Sequence, residues 1–285
     1  MKIAKTIDEQ LEILMSRGIK IGDYDAAYSM LENVNYYTLT GYLFPFKNGE
    51  LYKDNITMEL AINLYKFDNV IRNILTSLIV EAEEKLKTRI AYQIAINHPG
   101  DPLIYTDVKY FKNSNDHSRL MNEFQNNIRN NRTVPFVRHH IVNYRGQFPI
   151  WVAVNLFTLG NIKYLYKNIP SKDRKNISKT LNVSPLVLDS WIDTLRILRN
   201  KLAHNMRLYD STFHHTPKFE KQHEYKPKTN RLFFNFVLMK YLLESSDTWV
   251  RAINNLEEAF DQFNEYIELD AIGFPNNWVE ILNRI

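Results

Sequence analysis

Cysteine is absent from this sequence. That excludes disulfides and thiolate metal sites and fits a reducing compartment, so a cytoplasmic location is expected. Glycine and proline are sparse, 8 and 10 in 285 residues, which argues against a turn-rich β fold and for helices. No uncharged apolar run approaches the roughly 20 residues that span a bilayer. The first ten residues, MKIAKTIDEQ, carry no apolar segment of the kind a secretion signal needs. Neither a membrane partner nor a leader is expected. Charge of one sign is also modest: a net +4 is too small to establish nucleic-acid binding by itself.

What is present is a 45% hydrophobic chain long enough for one large domain or two small ones. Thr6-Ile7-Asp8-Glu9 reads as a capping box opening a short helix that stops near Gly18, and Asp23 caps a second. Tyr36 to Phe46 is aromatic, either extended or a short helix. Tyr36, Tyr37, Tyr42, Phe44 and Phe46 offer faces on which RNA bases stack, but packing against the core is the stronger expectation. Thr57 caps the longest helix, about Met58 to Ile96. Its apolar residues, from Leu60 and Leu64 to Leu86, recur at steps of four and three. Asp68–Arg72, Glu81–Lys85 and Glu83–Lys87 stand four apart and add modest support. His98 falls in the loop that follows.

Between Arg119 and Arg145 the chain turns basic and amide-rich. Arg119, Arg129, Arg132, Arg138 and Arg145 form a candidate phosphate-contacting strip, offset only by Glu123, or else an ordinary solvated face. Pro149 opens a helix over Ile150–Leu159, broken at Gly160-Asn161. Short helices follow to Lys167 and from Ser171 to near Asn182. Asp210 to Asn230 lacks periodicity and reads as a long loop close to His204, with Lys218 and Lys221 as further RNA contacts. His214, His215 and His223 lie in it, but without an HxxxH spacing or an acidic cluster they make a poor metal site. Helices over about Leu232–Leu243 and Asp247–Tyr266 close the chain. The expected fold is all-α: an antiparallel bundle over residues 58–285, one compact unit, with residues 1–57 as an N-terminal extension packed on it.

The chemistry concentrates in Ser184–Met206, read as one helix with Ser184 as N-cap and Pro185 at the first position. Leu188, Trp191, Leu195, Leu198 and Leu202 form its buried seam. Asn200 and His204 project from the opposite side, with Arg199 on the flank. Arg, Asn and His at one helix end suit RNA cleavage by the 2′-hydroxyl. His moves protons near neutral pH, Arg stabilises phosphate charge and Asn orients, with no metal or other cofactor required. Spacing alone favours a solvated helix face, since R-x4-H arises by chance.

Arg199-Asn200-Lys201-Leu202-Ala203-His204 resembles the R-x4-6-H signature of the HEPN superfamily. RGIKI at 17–21, NYYTLTGYLFPF at 35–46, LYKFDNVIRNIL at 64–75 and FPIWVAVNLFTLGNIKYLY at 148–166 extend the resemblance. Together they resemble the Abi family (AbiD/AbiF-like) of bacterial abortive-infection proteins. Relatives often carry Glu where this chain has Asn155. The resemblance implies a HEPN-like bundle and a metal-independent endoribonuclease acting in phage defence or as a toxin. In it Arg199 binds the scissile phosphate, Asn200 orients and His204 transfers the proton. It further implies a homodimer and restraint by a partner, which in some relatives is a small structured RNA. The alternatives are a non-catalytic RNA-binding module and a protein-interaction module of a defence or toxin–antitoxin system.

Overall fold

The computed structural model describes residues 3–243 and 245–283. The chain is all-α apart from one minimal hairpin. Helix α1 (Ile7–Ser16) begins at the expected capping box: the Glu9 N–H donates to Thr6 Oγ1 at 3.2 Å and the Thr6 N–H to Glu9 Oε2 at 2.9 Å. Asp23 caps α2 (Tyr24–Asn33), and Asn35 caps α3 (Tyr36–Thr40), which runs into a 3-10 turn over Gly41–Phe46. The aromatic segment is therefore helical, and packing claims only part of it. Tyr42 is 2% exposed, but Tyr37 and Phe44 are 71% and 70% exposed. Strands β1 (Lys47–Asn48) and β2 (Leu51–Tyr52) turn at Gly49, whose φ of 62° suits glycine. Leu11, Leu14, Leu31, Leu39 and Leu43 form their own apolar cluster, closed by Met58 and Ala61 at the start of the next helix.

That helix, α4 (Met58–Asn97), is 40 residues and about 60 Å long. It is the axis of the molecule. Leu64, Phe67, Ile71, Leu78 and Leu86 are fully buried on it. The expected i,i+4 pairs fare differently. Glu83 and Lys87 pair at 2.5 Å, Lys85 donates to the Leu242 carbonyl, and Asp68–Arg72 is buried rather than superficial.

Helices α5 (Ser114–Asn130) and α6 (Pro135–Asn143) carry the arginine strip. The helix expected over 150–159 is shorter. Helix α7 (Ile150–Ala153) relaxes into a 3-10 turn, and the break falls at Phe157-Thr158 rather than Gly160-Asn161. Thr158 caps α8 (Leu159–Asn168) reciprocally with Asn161, so the new helix starts before the glycine. Helix α9 (Ser171–Lys179) leads to α10 (Pro185–Ala203). After a long irregular segment come α11 (Phe233–Leu243), α12 (Asp247–Gln262) and two short helices not anticipated from periodicity, α13 (Leu269–Ile272) and α14 (Trp278–Asn283). Four and six residues are too few for a period to register.

Helices α10, α11 and α12 all pack on α4, and α11 is buried nearly all round. His98, expected as a plain loop residue, caps α4 and bonds Asp173 at 2.9 Å. The same buried carboxylate receives the Tyr110 hydroxyl at 2.6 Å and the Asn97 amide at 2.7 Å. Among the described residues no helix is long and apolar enough to cross a membrane.

Candidate functional site at the end of α10

Ser184 Oγ accepts from the Val187 N–H, and Pro185 occupies the first position of α10, as its sequence dictates. Leu188, Trp191, Leu195, Leu198 and Leu202 are buried as a seam. On the polar side Asp193 is occupied: it takes Lys163 Nζ at 2.8 Å and the Arg196 guanidinium at 2.8 Å. These two cations hold its carboxyl below the usual range against the opposing effect of burial. Arg199, Asn200 and His204 are exposed, and their side chains make no hydrogen bond or ion pair with the other described residues.

The helix is shorter than the expected Ser184–Met206. It ends at Ala203, with His204 as the capping residue. Asn205 adopts the left-handed conformation at φ 49°. Its N–H donates to the Leu202 carbonyl at 3.2 Å and that of Met206 to the Lys201 carbonyl at 3.0 Å. This is the paired-bond termination that favours Gly or Asn after the cap. The His204 N–H still donates to the Asn200 carbonyl at 3.1 Å, so the trio stays on adjacent turns, but its members line two different clefts. Arg199 and Asn200 line one cleft of about 410 Å³ with Glu123, Lys163, Tyr164 and Arg196. His204 lines a second, of about 550 Å³, with Asn205, Arg207 and Arg72.

The turn is held from below by Asp68, on the core side of α4. Its carboxylate accepts the N–H groups of Leu208 at 3.1 Å and Tyr209 at 2.6 Å, the Tyr42 hydroxyl at 2.9 Å and Arg72 Nη2 at 3.0 Å. Arg72 Nη2 also reaches the Met206 carbonyl at 2.9 Å. Arg207 donates to the Gly41 carbonyl and lies 5.9 Å over the Tyr42 ring. Burial raises the Asp68 pKa. The two backbone N–H groups, the Tyr42 hydroxyl and Arg72 counter the rise by binding the charged form. Lys201 sits beside the turn, bonded to Ser211 Oγ at 3.0 Å and 4.7 Å over the Phe213 ring. Burial depresses its pKa, with Arg207 adding to the effect.

The strip arginines, Arg119, Arg129, Arg132, Arg138 and Arg145, are all exposed on α5, α6 and the turns after them. Arg119 stacks at 5.3 Å on Tyr164, which itself lines the Arg199–Asn200 cleft. One end of the strip thus reaches the candidate site. Lys218 and Lys221 do not lie beside His204, contrary to the expectation for their loop. The loop's two ends meet near the turn, where the Phe213 N–H donates to the Asn230 carbonyl at 2.9 Å and Arg231 pairs with Asp210 at 2.7 Å, but its middle lies elsewhere. That middle runs back along α10, with the Lys218 N–H on Ser190 Oγ at 2.9 Å, Trp191 Nε1 on the Lys218 carbonyl at 2.7 Å, and the Ser184 N–H on Glu220 Oε1 at 2.6 Å. That places Lys218 roughly 20 Å along the helix from His204. Asn155 borders a separate groove of about 590 Å³ between α4 and α7, lined by Val80, Tyr92 and Trp151, that shares no residue with either site cleft.

Sequence reasoning missed Asp68, Arg72 and Arg207. A signal existed for the first two: Leu64, Asp68 and Arg72 share one stripe of α4 at steps of four, so an ion pair there lies on the core face. Neither a curated protein nor a solved structure matches the chain. The family model of Abi-like proteins matches residues 29–210, a span that starts within α2, takes in the strip, both clefts and Asp68, and ends just past Tyr209. That span is more than half of the 285 residues, and the chain belongs to the family of Abi-like proteins.

Proposed function

We propose that this protein is a metal-independent endoribonuclease of the HEPN type, acting in abortive infection of phage-attacked bacteria or as a toxin. One observation carries the reading. A helix end braced by a buried carboxylate presents an Arg, an Asn and a His whose side chains serve no other described residue. In this reaction a 2′-hydroxyl attacks the adjacent phosphorus. The new O2′–P bond forms as the P–O5′ bond breaks, and one proton leaves O2′ while another reaches O5′. His204 transfers a proton, Arg199 neutralises charge on the non-bridging oxygens, and Asn200 orients the phosphate. The chemistry calls for no metal ion. Arg119 and the other strip arginines would hold the strand's phosphates on the approach to the Arg199 cleft.

The division of the trio between two clefts supports a homodimer. A two-fold axis at this turn would set Arg199 and Asn200 of one chain against His204 of its partner.

Purified protein incubated with RNA in EDTA should leave 2′,3′-cyclic phosphate or 3′-phosphate ends. Arg199→Ala and His204→Ala should each lower the rate by about 10²–10⁴-fold while melting like the wild type, because both positions are exposed. An absolute requirement for magnesium would overturn the mechanism.

A further inference from the structure

The cleft that contains His204 has a second wall, made by the N-terminal extension. Asn35 Oδ1 accepts the Tyr37 N–H at 2.9 Å and fixes the start of α3. Tyr36 is half-buried and meets the Tyr37 ring edge-on at 5.3 Å, so Tyr37 is held although it is largely exposed. The same cleft is lined by His204, Arg207 and Arg72 and by Thr38 and Asn69. No carboxylate lines it among the described residues. Arg72 is 8% exposed, and its Nε and Nη1 have no hydrogen-bond partner. Asp68 beneath offsets the charge of Arg72, which leaves Arg207 as the uncompensated cation.

We propose that this cleft is a ribonucleotide subsite. The base stacks on Tyr37, and a phosphate of the same nucleotide lies against Arg207 and Arg72. The inference rests on RNA being the ligand of the α10 turn and deepens that reading. An exposed aromatic ring, cations, amides and a hydroxyl lining one cleft, with no acid in the lining among the described residues, match a nucleotide's flat base and its anionic phosphate. About 550 Å³ is within the range of small-ligand pockets. Because His204 forms part of the wall, the bound nucleotide flanks the scissile bond, and the extension takes part in substrate recognition.

The test uses Arg199→Ala as the parent, since Arg199 lies in the other cleft and its loss disables cleavage. A short labelled single-stranded RNA is titrated and followed by fluorescence anisotropy. Tyr37→Ala and Thr38→Glu, both at exposed positions, should each weaken binding by about tenfold, and Tyr37→Trp should restore it. Affinity unchanged by both substitutions, with thermal melts showing the fold intact, overturns the subsite. The same substitutions in the otherwise native chain separate the two readings. Tyr37-dependent binding in a protein that never cleaves RNA retains the subsite and removes the nuclease. Cleavage indifferent to Tyr37 and Thr38 does the reverse.

Discussion

Asp68 serves five donor contacts through two oxygens, and nothing else at the site is so heavily engaged. Asp68→Ala would leave the Arg72 guanidinium buried without its carboxylate and the Leu208 and Tyr209 N–H groups without an acceptor. The cost should be about 3–5 kcal/mol, a large part of the roughly 5–15 kcal/mol of a typical domain. Denaturant melts measure it, and an effect under about 1 kcal/mol would show the pair to be peripheral. Asp68 also shows what a local reading of sequence leaves out. Spacing reveals that Asp68 and Arg72 are neighbours on a helix. Their meaning comes from a backbone that arrives 140 residues later, and no window along the chain contains both.

At the level of elements, α10 was legible because its signals are local: a Ser cap, a Pro at the first position and an apolar seam. Its period runs on to Met206, but the helix stops three residues earlier because the stop depends on one left-handed Asn205. Arg199, Asn200 and His204 could be picked out by type and spacing, but their distribution over two clefts could not. The segment after α10 was legible only as lacking a period. Its order comes from contacts with α10 and α11. His223 stacks on Trp191 at 5.6 Å and on Tyr241 at 4.2 Å, and its Nδ1 accepts the Glu220 N–H at 3.0 Å. An accepting Nδ1 requires that nitrogen to be unprotonated, and burial pushes the pKa below the ordinary 6.5. Above 6.5 the imidazole is neutral both folded and unfolded. As pH falls through 6.5 the unfolded chain takes up a proton first, so stability declines until the folded imidazole also titrates. His223→Phe retains the stack without the titration. Its melting temperature should fall less than the wild type's between about pH 8 and about pH 5. Parallel curves would show that His223 titrates alike in both states.

For the whole molecule, the expected assembly is a homodimer in solution, detectable by light scattering. Mixing Arg199→Ala chains with His204→Ala chains gives heterodimers in which one composite site keeps both intact residues. Cleavage should therefore return in the mixture although neither variant cleaves alone. A strict monomer that remains fully active on dilution would rule the composite site out. The all-α architecture could be foreseen from scarce glycine and proline and the long period of α4. The two clefts could not, because each is walled by elements distant in sequence: α5, α8 and α10 for one, α3, α4 and the Asp68-held turn for the other.

The bond from Asp68 to Leu208 has a further consequence during synthesis. In a nascent chain that has not yet released residue 208 from the ribosome, Asp68 has Tyr42 and Arg72 but lacks the Leu208 and Tyr209 N–H groups that tie the turn to it. The α10 of such a chain carries Arg199 and His204 without the brace that fixes their turn. Under the proposed activity, the ribosome, itself made of RNA, holds no finished cutting site until the chain is nearly three-quarters made.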